Sequence, residues 1–213
     1  MNIKELISIH KEIEERIGER IRIFKSIWDN NDKIELFMEL VFCILTPQSR
    51  ARAAEKSIKQ LLTDDNIFNA GGWEEISPHI SSVRFSRNKS KYILEARGKF
   101  MKKETESLRA ILEPMEGNLN RRDWIVENVK GIGLKEGSHF LRNIGMGQDL
   151  AILDRHILKN LVRYGVIDSV PTLSRKNYLD IEKKMANFAK KVGVPFDHLD
   201  FVWWYSETKD IFK

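Results

Sequence analysis

Apolar residues in the first 28 positions of the chain recur at steps of three and four, and the positions between them are mostly charged. The apolar positions are Ile3, Leu6, Ile7, Ile9, Ile13, Ile17, Ile21 and Phe24. This spacing predicts an amphipathic helix that ends near Trp28. After a polar break at 29–32, the nearly continuous apolar stretch LFMELVFCIL predicts a second helix over 34–45, buried on most sides.

The remaining helices are predicted from the same spacing and from capping residues. Thr46 followed by Pro47 is typical of an N-cap with proline at the first helical position, so a helix is expected from there to about Leu62. The segment 117–122 is predicted as a polar break. Further helices are expected at 73–79, 85–102, 124–129, 134–143, 154–164, 174–192 and 196–209. Because strand alternation is missing from the sequence and Gly and Pro are scarce, the chain is predicted to be all-α.

Composition limits the classes of protein to which the chain can belong. The single cysteine, Cys43, excludes an internal disulfide framework, a multi-cysteine zinc site and a four-cysteine iron–sulfur cluster, and it favours a reducing, cytoplasmic setting. The sequence has no run near the ~18 apolar residues of a membrane span, and its acidic start is unlike a signal peptide. The net charge of +5 suits a polyanionic partner without requiring one. Few glutamines beside many Lys, Glu and Ile residues fit a thermophile source.

The segment 126–145, VENVKGIGLKEGSHFLRNIG, predicts two antiparallel helices joined by a hairpin. Gly131 and Gly133 allow backbone angles that other residues avoid, and Ile132 between them is expected to anchor the turn in the core. The free amides of Gly133, Leu134 and Lys135 would project from a helix N-terminus, where they favour an anion such as a DNA phosphate. The alternative is an ordinary turn between two helices with no ligand.

Lys135 is the candidate nucleophile of this segment. It lies in the first turn of a predicted helix, where the positive end of the helix dipole disfavours the ammonium form. A neutral amine can attack C1' of a nucleotide, expel the base and form a Schiff base without a cofactor. Alternatively, the lysine only pairs with a phosphate.

Asp154 follows the apolar residues AIL and precedes a predicted helix. Aspartate is a favoured N-cap, so its simplest role is to accept hydrogen bonds from the first amides of that helix. A capping carboxylate at a cleft can also stabilise the positive charge that develops on a sugar, or help a lysine lose its proton. The two roles are compatible.

The hairpin, Lys135 and Asp154 together resemble the helix-hairpin-helix, Gly/Pro-rich, Asp superfamily of DNA glycosylases. The upstream segments ELVFCILTPQSRARAAEKSIKQL and FSRNKSKYILEA resemble two further parts of that superfamily. KGIGLKEGSHFLRNIG followed by AILDRHIL, the C-terminal block LDFVWWYSETKDIFK and a final lysine are similar to the archaeal-type, second group of 8-oxoguanine DNA glycosylase/AP lyases. That group lacks an iron–sulfur cluster, in agreement with the cysteine count.

The resemblance implies two helical domains. A six-helix barrel domain would cover 33–145 and end in the helix-hairpin-helix 126–145, and residues 1–32 plus 146–213 would form the second, N/C-terminal helical domain. DNA would bind across the cleft between them, and the damaged nucleotide would flip out of the duplex.

The resemblance also implies the site residues. Lys135 would be the Schiff-base nucleophile and Asp154 its electrostatic partner. The base-recognition residues would be Phe85, Trp204, Lys213 and, less directly, Asp200. The DNA-binding residues would be Gln48, Arg50, Gly131, Gly133 and Leu134. Each pocket residue has a structural alternative: the aromatic residues can be core, Lys213 a frayed terminus, and Gln48 a helix-capping residue.

The expected function is base-excision repair, in which 8-oxoguanine is excised from double-stranded DNA and the strand is nicked by β-elimination. No redox cofactor or catalytic metal is expected, although a monovalent cation held by hairpin carbonyls is compatible with the superfamily. A monomer is expected, without a membrane partner. The alternatives are a glycosylase of the same fold that acts on another oxidised or mismatched base, and a non-enzymatic helix-hairpin-helix DNA-binding module.

Overall fold

The computed structural model describes residues 2–212, with the exception of the Asp65 side chain, and within that range it contains helices and no strand. The α-helices are α1 (Ile3–Asp29), α2 (Lys33–Leu45), α3 (Ala51–Leu61), α4 (Asp65–Asn69), α5 (Trp73–His79), α6 (Ser86–Phe100), α7 (Leu108–Leu112), α8 (Asn118–Asn128), α9 (Leu134–Asn143), α10 (Arg155–Arg163), α11 (Arg175–Val192) and α12 (Leu199–Thr208). A short 3₁₀ helix, Phe196–His198, precedes α12. The all-α prediction is confirmed. None of the helices in the described range is long and apolar enough to cross a membrane.

The chain forms two compact units. One unit contains residues 27–140, and the other contains residues 1–26 and 141–213. The boundaries at 26/27 and 140/141 fall inside α1 and α9, and the domain bounds at 32/33 and 145/146 stay a prediction.

Helix α2 is the centre of the unit formed by residues 27–140. Every residue from Leu36 to Leu45 is buried, as the continuous apolar stretch predicts. The helix begins at the N-cap Asp32, whose side chain accepts from the amides of Ile34 and Glu35. It packs against α3, α6 and α7. After its first three residues the helix has a single charged side chain, so it lacks the charged face that a surface helix presents to water.

The predicted helix start at Thr46 is wrong. Thr46 is the C-cap of α2, and its hydroxyl donates to the carbonyl of Cys43. The next helix, α3, begins only after a turn that contains Gln48 in the left-handed region, with φ of 54°. A left-handed residue cannot continue a right-handed helix, so the turn delays α3 to Ala51.

The predicted polar break at 117–122 is also wrong, because this segment forms the first half of α8. Its polar side chains find partners inside the unit. Arg121 Nε donates to the Leu112 carbonyl at 3.0 Å, and the fully buried Arg122 donates to Ser138 Oγ at 3.0 Å. Polar residues with such partners can be buried in a helix, and composition alone does not reveal those partners.

The second unit has a core of apolar residues from both ends of the chain. The predicted stripe of α1 is buried at Leu6, Ile13, Ile17 and Phe24. Trp203 of α12 is completely buried, and its ring stacks on those of Tyr164 and Phe188 at centroid distances of 6.0 and 6.2 Å. Helices α10 and α12 pack against each other in this unit.

Candidate active site

The hairpin between α8 and α9 has a tightly constrained turn. Gly131 has φ of 86°, and a Cβ atom at this position would lie 2.5 Å from Cδ2 of Tyr92. Ile132 is buried, as predicted. Gly133 is not among the glycines with positive φ, so the conformational freedom expected of both glycines is needed only at Gly131. The turn therefore depends on one left-handed glycine and one apolar anchor.

The N-terminus of α9 carries a carboxylate of the chain itself. The amide of Gly133 donates to Glu136 Oε2 at 3.2 Å, so the expectation that this amide is free is wrong. Glu136 is the third residue after Gly133, which directly precedes α9. A Glu side chain at this position can reach back to an N-terminal amide. The other carboxylate oxygen, Oε1, lies 3.1 Å from Lys135 Nζ. The N-terminus of α9 and the candidate nucleophile thus share one carboxylate.

Lys135 is partly exposed, with 26% of its side chain accessible. Leu134 and Glu136, on either side of it, are also of intermediate exposure. The side chain is therefore partly open to solvent, and the ion pair with Glu136 restricts the orientation of its amine.

A second lysine, Lys89 of α6, lies in the same electrostatic environment. Only 4% of Lys89 is exposed, and its ammonium donates to Leu45 O at 2.7 Å, Pro47 O at 2.8 Å and Ser49 Oγ at 3.0 Å. Burial lowers the pKa of Lys89 to about 8; Glu136 opposes this shift, and the positive charge of Lys135 adds to it.

Three predicted DNA or base contacts lie on the same unit as Lys89. Gln48 and Arg50 are exposed in and after the turn that follows α2, and Arg50 occupies the N-cap position of α3 without a side-chain capping bond. Phe85 is 52% exposed, has φ of 60° and precedes α6. The Arg84 guanidinium lies 5.3 Å from the centroid of the Phe85 ring. Phe85 is therefore not a core residue, which was its structural alternative.

Asp154, in the other unit, is the N-cap of α10. Its Oδ1 accepts from the amides of His156 at 2.8 Å and Ile157 at 2.9 Å. The simpler of its two predicted roles is thus present, and the residue remains of intermediate exposure. A second oxygen of the carboxylate is left for other interactions.

Asp200 is engaged by an arginine of its own unit. Arg142 Nη1 donates to Asp200 Oδ2 at 2.7 Å, and the Arg142 guanidinium lies 4.6 Å from the Phe201 ring centroid and 5.3 Å from that of Phe24. Burial raises the pKa of the Asp200 carboxyl, while Arg142 lowers it and the nearby Asp154 adds slightly to the rise. A base that bound Asp200 would have to share it with Arg142.

Trp204 is of intermediate exposure and packs edge-on against His156, with ring centroids 5.5 Å apart. His156 Nδ1 is hydrogen-bonded to Glu207 Oε2, which fixes the orientation of the imidazole beside the indole. Lys213 lies outside the described residues. In the range 2–212, apart from the Asp65 side chain, no cluster of three His, Cys, Asp or Glu side chains could hold a metal ion.

The sequence interpretation missed Glu136, Ser49 and Arg142, and it did not assign a role to Lys89. Glu136 could have been found from its capping-box position relative to Gly133. The partners of the other three are distant in the chain, so no local pattern reveals them.

Comparison with known proteins gives a consistent result. The family model described as 8-oxoguanine DNA glycosylase matches residues 17–194. The chain is 46% identical to the 8-oxoguanine DNA glycosylase/AP lyase of Fusobacterium nucleatum, with 98% of this chain and 96% of the relative covered. It is similar to the crystal structure of the Methanocaldococcus jannaschii 8-oxoguanine glycosylase/lyase in complex with 15mer DNA containing 8-oxoguanine, with a TM-score of 0.87, 36% identity and 99% coverage of both chains. The structure of the Thermotoga maritima 8-oxoguanine DNA glycosylase matches with a TM-score of 0.86 and 31% identity, covering 99% of this chain and 98% of that one.

Proposed function

Because the chain belongs to the 8-oxoguanine DNA glycosylase family, we propose that it excises 8-oxoguanine from double-stranded DNA and then nicks the strand at the resulting abasic site. The protein acts as a monomer in the cytoplasm. Its net charge of +5 favours association with the DNA backbone. Flipping the damaged nucleotide costs a few kcal/mol, and this cost favours bases that are weakly paired or stacked.

Lys135 is the nucleophile of the proposed reaction. The lone pair of its neutral amine forms a bond to C1', and the bond from C1' to the base breaks with its electrons leaving on the base. One amine proton passes to the departing base. The nitrogen lone pair then forms a C=N bond as the C1'–O4' bond breaks and O4' takes a proton, which gives a protonated Schiff base between Nζ and C1'. Loss of a proton from C2' then expels the 3' phosphate, which nicks the strand. The chemistry needs no redox cofactor or catalytic metal, and it is compatible with a monovalent cation held by hairpin carbonyls.

The other site residues support this step. Asp154 stabilises the positive charge that develops on the sugar, and its capping bonds hold the carboxylate in place. Phe85 and Trp204 stack on the flipped base, Asp200 lines the base pocket, and Lys213 distinguishes 8-oxoguanine from guanine at N7, a donor in the lesion and an acceptor in the normal base.

The DNA backbone is bound at the hairpin by Gly131, Gly133 and Leu134 and beside α3 by Arg50. Gln48 enters the gap that the flipped base leaves. Since Glu136 already accepts from the Gly133 amide, a phosphate at this end of α9 displaces that carboxylate or binds the neighbouring amides.

One observation carries the proposal: in a chain of this family, a lysine side chain of the hairpin helix is partly exposed, and its amine is oriented by an adjacent carboxylate. Borohydride reduction during reaction with an 8-oxoguanine duplex tests it. The wild type is expected to form a covalent protein–DNA adduct, and Lys135→Gln is expected to form none. The matched control is Lys130→Gln, which removes an exposed hairpin lysine paired with Glu95 and should leave the adduct intact.

The outcomes separate the alternatives. Adduct formation by Lys135→Gln would show that another amine is the nucleophile. A wild type that binds the duplex without forming an adduct would be a DNA-binding module. A panel of duplexes with oxidised pyrimidines or mismatched adenine would reveal a different lesion, if the adduct forms faster there than with 8-oxoguanine.

A further inference from the structure

Gln48 and Phe85, two exposed residues of the unit formed by residues 27–140, have left-handed backbones without being glycine, as Asn31 of the same unit also does. Gln48 has φ of 54° and Phe85 has φ of 60°. Such conformations are unfavourable in side-chain-bearing residues and persist only where surrounding contacts impose them.

A single hydroxyl links the two strained positions. Ser49, next to Gln48, accepts with its Oγ from the amide of Arg84 at 3.0 Å, and Arg84 precedes Phe85. The same Oγ accepts from Lys89 Nζ at 3.0 Å. Ser49 and Arg84, which are 35 positions apart in the chain, are thereby joined, and each is adjacent in sequence to one of the left-handed residues.

Lys89 completes the connection from inside the protein. Its three ammonium hydrogens have three acceptors, the carbonyls of Leu45 and Pro47 and the hydroxyl of Ser49. They bind the end of α2 and the turn after it to the first turns of α6. A buried ammonium is costly to desolvate, so an apolar side chain would be expected here if packing were the only requirement.

We propose that Lys89 and Ser49 are positioning residues that hold Gln48 and Phe85 at a fixed separation, so that both side chains engage the DNA together. This inference rests on the proposed function, in which Gln48 enters the gap and Phe85 stacks on the flipped base. Neither Lys89 nor Ser49 touches the DNA in this role. With a pKa of about 8, Lys89 keeps its proton at neutral pH, so all three of its donors remain in place.

A double-mutant cycle tests the positioning role. Lys89→Met removes the ammonium and keeps the stem, and Ser49→Ala removes the linking hydroxyl. Each substitution is made in the wild-type chain and in the Gln48→Ala/Phe85→Ala double variant. The single-turnover rate of 8-oxoguanine excision is the measurement. We expect each variant to lower the rate at least about tenfold in the wild type but less than about twofold in the background that lacks both side chains.

The control is Lys99→Met, which removes another α6 lysine that donates to a backbone carbonyl, that of Asn128, and should change neither rate. Equal losses in both backgrounds would overturn the proposal, because Lys89 would then act through general stability or through Lys135. If Lys89→Met does not fold, Ser49→Ala decides the question alone. A wild type without excision activity would overturn the proposed function itself, and with it this inference, whereas an active wild type with additive losses overturns only the inference.

Discussion

The carboxylate of Asp154 has two roles in the proposed reaction, and one pair of substitutions separates them. Its Oδ1 caps α10 through the amides of His156 and Ile157. Asn caps a helix about as well as Asp, so Asp154→Asn removes the charge and retains the cap. Asp154→Ala removes both.

The expected stability changes follow from the capping geometry. Loss of the charge at a helix N-terminus costs about 0.3–1 kcal/mol, so Asp154→Asn should stay within that range. Loss of the cap costs roughly 0.5–2 kcal/mol, so Asp154→Ala should be less stable than Asp154→Asn. Urea unfolding of both variants measures these differences.

The excision rates of the two variants should not follow the order of their stabilities. If the charge stabilises the transition state, both variants lose about 10²-fold or more in single-turnover excision, while their affinity for the duplex changes little. Asp32 provides the matched control, because its Oδ1 accepts from the amides of Ile34 and Glu35 at 2.8 and 3.1 Å in the same pattern. Asp32→Ala should lose stability as Asp154→Ala does and keep its rate.

The reasoning would be refuted by an Asp154→Asn variant that excises 8-oxoguanine at nearly the wild-type rate while Asp154→Ala is slow. That result would leave capping as the function of Asp154. A parallel loss of DNA affinity and excision rate that is confined to Asp154→Ala would also indicate that capping is the dominant role.

Three further predictions concern other parts of the chain. Burial lowers the pKa of Lys89 from 10.5 to about 8, so between these pH values the unfolded state binds the proton more than the folded state does. The free energy of unfolding of the wild type should therefore rise with pH relative to that of Lys89→Met, by up to about 1.4 kcal/mol per pH unit between pH 8 and 10. Parallel stability curves for the two proteins would contradict the pKa shift. In urea titrations, Gly131→Ala should lower stability by at least about 1–2 kcal/mol, because the φ of Gly131 is 86° and the added Cβ would contact Tyr92. Gly18→Ala should instead raise stability by roughly 0.5–1 kcal/mol, because the Cβ added there has no neighbour within 4 Å. Deletion of Lys213 should narrow the ratio of excision rates for 8-oxoguanine over guanine, and an unchanged ratio would remove this residue from base recognition.

Local patterns predicted much of the helical structure. The apolar stretch of α2 is buried throughout, whereas the predicted stripe of α1 is buried at Leu6, Ile13, Ile17 and Phe24 and exposed at Ile3. The hairpin can be predicted for a similar reason, because a left-handed turn favours glycine at Gly131 and the turn needs an apolar anchor at Ile132.

The predictions failed where a distant partner or a turn conformation overrides local preference. Thr46 looked like the start of a helix, but it ends α2, because Gln48 takes a left-handed conformation two residues later. The polar first half of α8 looked like a loop, and Arg122 is nevertheless buried in a helix because Ser138 accepts its hydrogen bond. Helical periodicity carries no information about either of these features.

The order of apolar and polar residues was enough to establish an all-helical chain, its hairpin and a candidate lysine and aspartate, because these features depend on neighbours a few positions apart. The engagement of Asp200 by Arg142 and the connection of Gln48 to Phe85 through Ser49 emerged only on folding. Such contacts join residues that are distant in the chain, and packing sets the distances and rotamers on which they depend. The residues next to each partner in the sequence therefore do not predict them.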